Sequence, residues 1–197
     1  MEVLERINYK GVEIRVSFDD DPALNPRLDD CFGTIVDKVS RYELGDAGSY
    51  IEKSDLVEGK DCVLPLYIYD HSGITISTTP FGCQWDSGLI GYVYVTEDRI
   101  KEEFGVEEVS TDLRKQAMKI LRSEVEIYDK FIRGEMYWYD SDISSCGGYF
   151  DMESMIDDAK SEIDHYIKRK RVEHFNKMKA WIKNKVGLEY RTPLPIV

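Results

Sequence analysis

Several features that mark common protein classes are scarce or missing in this chain of 197 residues. It has four cysteines, no two of them at the two-to-four-residue spacing of a zinc finger, so we expect reduced thiols and no structural zinc site. No apolar run approaches the roughly 18 residues that a membrane-spanning helix needs. The first residues alternate and carry charge, unlike a secretory signal. These absences predict a cytoplasmic protein without membrane contact.

Glycine motifs that mark common enzyme classes are also missing. The sequence contains no GxxxxGK[ST] phosphate loop, no GxGxxG dinucleotide motif and no GxSxG nucleophile motif. We therefore expect no cofactor. These absences favour a protein that is not an enzyme. One cluster of residues, described below, keeps the enzymatic alternative open.

Hydrophobic periodicity predicts an α+β fold, in which an antiparallel sheet of about five or six strands is followed by long helices packed on it. Alternation in the segment 12–18 places Val12, Ile14, Val16 and Phe18 on one face. The predicted strands are residues 3–9, 12–18, 33–42, 63–69, 74–78 and 89–95, and residues 136–139 are a further candidate for a short strand. We expect a single domain over residues 1–197, with mainly strands in 1–96.

The helical signals are concentrated in the second half of the chain. Thr96 is suited to cap a short helix over 97–104, and apolar residues three and four apart predict a long helix from about residue 110 to Gly134. These helices occupy residues 97–134. A polar turn is predicted at 144–148. Residues 152–187 are predicted to form a C-terminal helix or a pair of helices.

Charge is the most unusual feature of the composition. The chain carries 26 basic and 38 acidic residues, a net of −12, with −14 in residues 1–150 and +2 in residues 151–197. A strongly acidic body is not expected to bind nucleic acid directly, but it suits a partner with a basic groove. The basic run at 168–171 is interpreted as a solvated helix face, with contact to phosphate or protein as the alternative.

Two sets of carboxylates stand out. If the carboxylates of a set all point to one side of the protein, they would resemble a row of phosphates to a basic partner. If they point in different directions, they have no common function. The sequence leaves both alternatives open. The first set flanks an extended loop and consists of Asp19, Asp20, Asp21, Asp29 and Asp30. The second consists of Glu97, Asp98, Glu102, Glu103, Glu107 and Glu108.

One cluster of residues, at 70–86, could be catalytic. Cys83 could act as a nucleophile with His71 as its base and Asp70 or Asp86 orienting the base. Asp70, His71 and Asp86 could also hold a divalent metal if they converged. The stronger interpretation is turn chemistry, because Asp-His-Ser-Gly and Asp-Ser-Gly are ordinary turn sequences. We therefore expect no metal and no catalytic residue here, with a small hydrolase as the alternative.

Several segments together resemble a family of small proteins carried by bacteriophages and bacterial mobile elements. The resemblance covers roughly residues 20–160, and its most specific part is LPLYIYDHSGITISTTPFGCQWDSGLIGYVYV at 64–95. The other segments are Asn25-Pro26-Arg27, Gly33-Thr34, RYELGD at 41–46, EVEIYD at 124–129 and CGGYF at 146–150. The resemblance assigns no functional residue. It implies a phage-borne protein acting in a bacterial cell, similar to inhibitors of host defence and to anti-CRISPR proteins in particular.

These observations predict an acidic inhibitor that occludes a basic nucleic-acid-binding surface of a host defence nuclease, with Cas9 as the first partner to consider. The expected contacts are the carboxylates Asp19, Asp20, Asp21, Asp29 and Asp30 with Trp85 and Trp138 as aromatic anchors. A dimeric phage accessory protein, joined through its helices, is a further alternative to the hydrolase.

Overall fold

The computed structural model of the protein describes residues 2–39, 41–48 and 50–185. In these residues there are eight strands and three α-helices, so the predicted α+β class is confirmed. The strands are β1 (Val3–Tyr9), β2 (Val12–Phe18), β3 (Thr34–Asp37), β4 (Cys62–Asp70), β5 (Ile74–Ser77), β6 (Ser87–Val95), β7 (Tyr137–Asp140) and β8 (Ser145–Tyr149). The helices are α1 (Glu97–Phe104), α2 (Thr111–Ile132) and α3 (Met152–Lys185).

The strands form two antiparallel four-stranded sheets instead of one sheet of five or six strands. The first sheet has the order β1-β2-β7-β8 and the second has the order β3-β6-β4-β5. The difference arises because β7 follows α2 in the chain yet pairs with β2 of the N-terminal hairpin, and β8 pairs with β7. The predicted polar turn at 144–148 is wrong for the same reason, since most of it is strand β8 paired with β7.

The packing divides the chain into two compact units, each described here by itself. One unit comprises the described parts of residues 1–18 and 137–197, and the other comprises residues 19–136. The prediction of a single domain over 1–197 stays a prediction. No helix in the described part of the chain is long and apolar enough to cross a bilayer.

The first unit packs the beginning of α3 on the first sheet. β1 and β2 join through Lys10 and Gly11, whose φ angles of 52° and 86° suit a two-residue hairpin turn. Ile14 and Val16 point into the core as the alternation predicted. Their fully enclosed partners are Tyr139, Met155, Ala159 and Ile163. Of the two predictions for the C-terminal segment, one helix is the one observed, and the predicted end at Gly187 lies outside the described residues.

The second unit packs α2 across β4, β5 and β6. α2 begins where Ser110 accepts a hydrogen bond from the Leu113 amide, and α1 begins where Thr96 accepts one from the Arg99 amide. Leu121 and Val125 from α2 are buried against the sheet. Pro65 is tolerated in β4 because it precedes the stretch Tyr67–Asp70 that pairs with β5. The predicted strand at 33–42 is shorter, since β3 ends at Asp37.

Candidate functional site

The structure joins three of the four side chains in the predicted cluster. Asp86 Oδ2 lies 3.3 Å from His71 Nδ1, and Cys83 Sγ donates a hydrogen bond to the same oxygen at 3.5 Å. The turn between β4 and β5 supplies His71, while the loop between β5 and β6 supplies Cys83 and Asp86. A hairpin of this kind brings residues 12 to 15 positions apart in the chain into contact, which is why the sequence could identify them together.

Asp70 joins this cluster through its backbone only. Its amide donates to the Asp86 carbonyl at 2.8 Å. Its carboxylate instead accepts a hydrogen bond from the Tyr42 hydroxyl at 2.9 Å and lies 3.5 Å from an Arg41 guanidinium nitrogen. The hydrogen bond to Asp70 raises the pKa of Tyr42 above its usual value. The Asp70 carboxylate therefore binds Tyr42 and Arg41 and is not in a position to orient His71 as a catalytic base.

The order of contacts within the cluster places Asp86 at its centre. A cysteine nucleophile needs the imidazole to take the thiol proton and the carboxylate to orient the imidazole. Here one carboxylate oxygen contacts both Cys83 and His71. This arrangement cross-links the turn and the loop. No group of three or more His, Cys, Asp or Glu residues in the described ranges could hold a metal ion.

Trp85 stands at the exposed tip of the cross-linked loop. Its side chain is 93% exposed, although its chain neighbour Asp86 is held in the cluster. Beneath the loop the Tyr69 ring contacts both Phe81 and His71, with ring centroids 5.7 and 6.0 Å apart. A large, exposed indole on a loop that side-chain contacts hold in place is a strong candidate for a binding anchor.

Trp138 is placed differently. It lies in β7 of the other unit and is half-buried, and its Nε1 atom is buried without a hydrogen-bond partner in the described part of the protein. A half-buried indole offers less contact area than an exposed one. Of the two predicted anchors, the geometry therefore favours Trp85.

Two of the first three predicted carboxylates accept hydrogen bonds within their own loop. Asp21 Oδ1 accepts a hydrogen bond from the Ala23 amide at 2.9 Å and so caps the short 3-10 turn Pro22–Leu24. Asp19 Oδ1 accepts one from the Asp21 amide at 3.4 Å, and Asp20 is exposed beside them. These contacts give Asp19 and Asp21 a local structural role.

The two sets of carboxylates meet at Arg99. Its guanidinium lies 3.3 Å from Asp30, 3.5 Å from Glu102 and 3.6 Å from Glu103. The Asp30 and Glu102 side chains are 88% and 73% exposed. We call Asp30, Glu102 and Glu103 the acidic face. One arginine neutralises one of three carboxylates, so a net of two negative charges faces solvent, and Asp29 adds another exposed carboxylate beside Asp30.

A buried ion network holds the segment that carries Asp30. The Arg27 side chain is only 7% exposed, its Nε donates to Asp46 at 2.8 Å and its Nη2 donates to the Gly33 carbonyl at 2.7 Å. Glu124 of α2 accepts from the amides of Phe32 and Gly33 at 2.7 and 2.9 Å. Burial alone would lower the pKa of Arg27, but the Asp46 hydrogen bond and charge raise it. We call Arg27, Asp46 and Glu124 the Arg27 network.

The sequence offered one indirect signal for this network. Its members are up to 97 residues apart, so no spacing rule connects them. They do occur in segments on which the family resemblance was based, namely 25–27, 41–46 and 124–129. The structure shows that these three segments meet at one place. The acidic face, by contrast, depends on Asp30 contacting a helix 69 residues further along the chain, which no local pattern indicated.

A separate groove lies between β5 and α2 and has a volume of about 500 Å³. Hydroxyls of Thr75, Ser77 and Thr79 line one side, and Arg122 and Arg133 line the other. None of the four cluster residues is among its lining. The cluster and the groove therefore do not combine into a single substrate pocket.

No protein family, curated protein or solved structure matches this chain.

Proposed function

We propose that this protein is an acidic, phage-borne binding protein that inhibits a host nucleic-acid-targeting defence nuclease by occluding its basic surface, and that Cas9 is the first such nuclease to test. The observation that carries the proposal is the convergence of exposed carboxylates from two distant segments around Arg99. The central position of Asp86 in the His71 and Cys83 cluster supports a binding role over catalysis.

The physical basis of the proposal is electrostatic complementarity. A nucleic-acid channel displays rows of lysine and arginine that bind phosphates, and a fixed set of carboxylates can take the place of those phosphates. Such charges raise the association rate and select the orientation of binding more than they add affinity. A Debye length of about 8 Å at physiological salt means that the attraction weakens as salt rises.

Removal of the acidic face is expected to weaken binding to the nuclease. The variant Asp30→Asn, Glu102→Gln, Glu103→Gln removes three partly exposed charges, each contributing roughly 0.2–1 kcal/mol, so we expect about a tenfold loss of affinity at low salt. The measurement is biolayer interferometry on immobilised Cas9–guide RNA. Most of the loss should appear in the association rate.

A matched control removes the same number and kind of charges from the other unit. Asp157→Asn, Glu153→Gln and Glu162→Gln lie on α3 and are all exposed. This variant is expected to bind like the unmodified protein. Equal affinities for both triple variants would rule out a specific contact through the acidic face.

Trp85→Ala is expected to weaken binding to the nuclease without changing the stability of the fold. Because the indole is almost fully exposed, we expect the free energy of unfolding to change by no more than about 0.5 kcal/mol. Loss of a buried interface anchor typically costs about 2 kcal/mol or more, or roughly thirtyfold in affinity. Tyr50→Ala, at another exposed aromatic residue, is the control. Unchanged nuclease affinity in Trp85→Ala would exclude Trp85 as an anchor.

A hydrolase is the second candidate, because the structure brings His71, Cys83 and Asp86 together in one cluster, although the shared Asp86 oxygen does not give the thiol–imidazole order that a cysteine nucleophile needs. If the cluster is catalytic, hydrolysis of a panel of ester, amide and phosphoester substrates should occur with the unmodified protein and disappear in Cys83→Ser. Hydrolysis that survives in Cys83→Ser, or its absence from the unmodified protein, counts against this candidate.

A further inference from the structure

The last half of α3 is exposed along its whole length. Every residue from 168 to 185 is exposed, whereas the buried residues of this helix end at Ile163. The segment is about 27 Å long at 1.5 Å per residue. We call residues 168–185 the basic segment, because it contains eight lysines and arginines and a single carboxylate, Glu173.

The charges of the basic segment surround the helix. At about 100° per residue, Arg169, Lys177 and Arg171 lie roughly 100°, 180° and 300° around the axis from Lys168. An ordinary amphipathic surface helix has its charges on one side only. A helix with cations on all sides suits a ligand that presents anions on both sides of it.

We propose that the basic segment binds double-helical nucleic acid in its major groove. The groove of B-form DNA is about 12 Å wide, which matches the 10–12 Å diameter of an α-helix, and it is bordered by a row of phosphates on each side. A segment of about 27 Å spans roughly eight base pairs at 3.4 Å each. This proposal goes beyond the binding function proposed above and does not rest on it.

The basic segment is strongly cationic although the whole chain is acidic. The chain carries −12, but the basic segment alone carries +7. Within its own unit, Lys179 lies about 24 Å along the axis from Ile163, where the helix is last buried, at 1.5 Å per residue. That is about three Debye lengths, so the acidic residues near Ile163 are largely screened from this end of the helix.

The apolar residues of the segment do not form a clean membrane-binding face. Met178 and Ile182 are both exposed, and Arg171, about two to three turns earlier in the helix, projects in a direction about 20° from each. Burial of this row in a bilayer would take a guanidinium with it, which is unfavourable. In a groove the same apolar atoms can contact thymine methyl groups and sugars while Arg171 reaches phosphate.

Pairing of the segment with its copy in a second molecule is also disfavoured. Each segment carries +7, and like charges on facing helices repel. The exposed stripe of Val172, Phe175 and Ile182 is therefore better matched to an anionic partner than to itself. A dimer through this segment is included among the outcomes of the test.

The test is fluorescence anisotropy of the full chain with a labelled DNA duplex of about 20 base pairs, between about 50 and 200 mM salt, a range over which several phosphate contacts change affinity strongly. The variant Lys168→Gln, Lys177→Gln, Lys179→Gln is expected to bind at least about tenfold more weakly at low salt. Its slope of log affinity against log salt should be smaller by about 3, one unit for each lost phosphate contact.

The matched control removes three exposed lysines from the other unit, in the variant Lys53→Gln, Lys60→Gln, Lys119→Gln. It has the same net charge as the α3 variant and should bind the duplex like the unmodified protein. Circular dichroism of both variants checks that they retain the helical content, which we expect to be unchanged.

Four outcomes would overturn the proposal. The first is the absence of duplex binding at low salt, and the second is equal weakening of duplex binding in the two variants. The third is lysine-dependent binding to vesicles containing anionic phospholipid that is tighter than binding to the duplex. The fourth is a dimer in light scattering that the α3 variant abolishes. The last two identify a lipid surface or a second copy as the occupant.

Discussion

Gly91→Ala is expected to be strongly destabilising to the second unit. Gly91 lies in the middle of β6, which pairs with β3. The two backbones approach so closely here that an added Cβ would lie 1.8 Å from the Val36 carbonyl oxygen and 2.9 Å from the Val36 carbonyl carbon. A backbone atom cannot move aside as a flexible side chain can. Relief requires separation of β3 from β6, and we expect a loss of about 4 kcal/mol or more in the free energy of unfolding.

Gly88→Ala on the same strand is the control. An added Cβ there meets no atom within 4 Å, so its effect on stability should stay within about 0.5 kcal/mol. Urea unfolding monitored by circular dichroism measures both variants. Since small domains are stable by only about 5–15 kcal/mol, Gly91→Ala should remove a large fraction of this unit's stability. Similar midpoints for the two variants would contradict the close approach of β3 and β6.

Arg27→Gln is expected to cost about 3–5 kcal/mol, because it removes the cation from a buried ion network and leaves its carboxylates uncompensated. The guanidinium binds Asp46 through two nitrogens and lies 3.8 Å from Glu124. Gln is too short and lacks the charge to replace these contacts. The same network holds the segment that carries Asp30, so this variant should also lose affinity for the nuclease.

Arg6→Gln is the matched control for that measurement. Arg6 pairs with Glu13 at 2.6 Å, but both side chains are about half exposed, so the pair contributes no more than about 1 kcal/mol. Both variants can be compared by their urea midpoints. If Arg27→Gln unfolded at the same urea concentration as Arg6→Gln, the Arg27 network would not be what holds the 26–46 segment to α2.

Local patterns predicted the elements that local interactions determine. β1 and β2 lie at the predicted bounds because alternation and the Lys10-Gly11 turn are encoded within 16 residues. α1 lies at the predicted positions because its cap, Thr96, directly precedes it and its terminal Gly105 directly follows it in the sequence. The division into two sheets was not predictable, because the pairing of β2 with β7 joins residues more than 100 positions apart.

The same distinction applies to the candidate sites. The contacts among His71, Cys83 and Asp86 span one hairpin, so the sequence could group these residues, but it could not show that Asp86 would lie between the other two. The acidic face and the Arg27 network each join segments that lie far apart in the chain, and the sequence left the orientation of the carboxylates open. Exposure of the basic run at 168–171 was predicted and is confirmed. Exposure of the rest of the basic segment was not predictable, since its apolar stripe is equally typical of a packed helix.

The most direct test of the proposed function is target cleavage by purified Cas9–guide RNA in the presence of increasing amounts of this protein. The variant Lys168→Gln, Lys177→Gln, Lys179→Gln is used as the background, so that binding of target DNA by the basic segment cannot mimic inhibition. We predict that cleavage is inhibited at low salt, that inhibition weakens as salt rises, and that it is lost when Asp30, Glu102 and Glu103 are neutralised. Cleavage that proceeds at the same rate at every concentration of the protein would contradict the proposal that it occludes this nuclease.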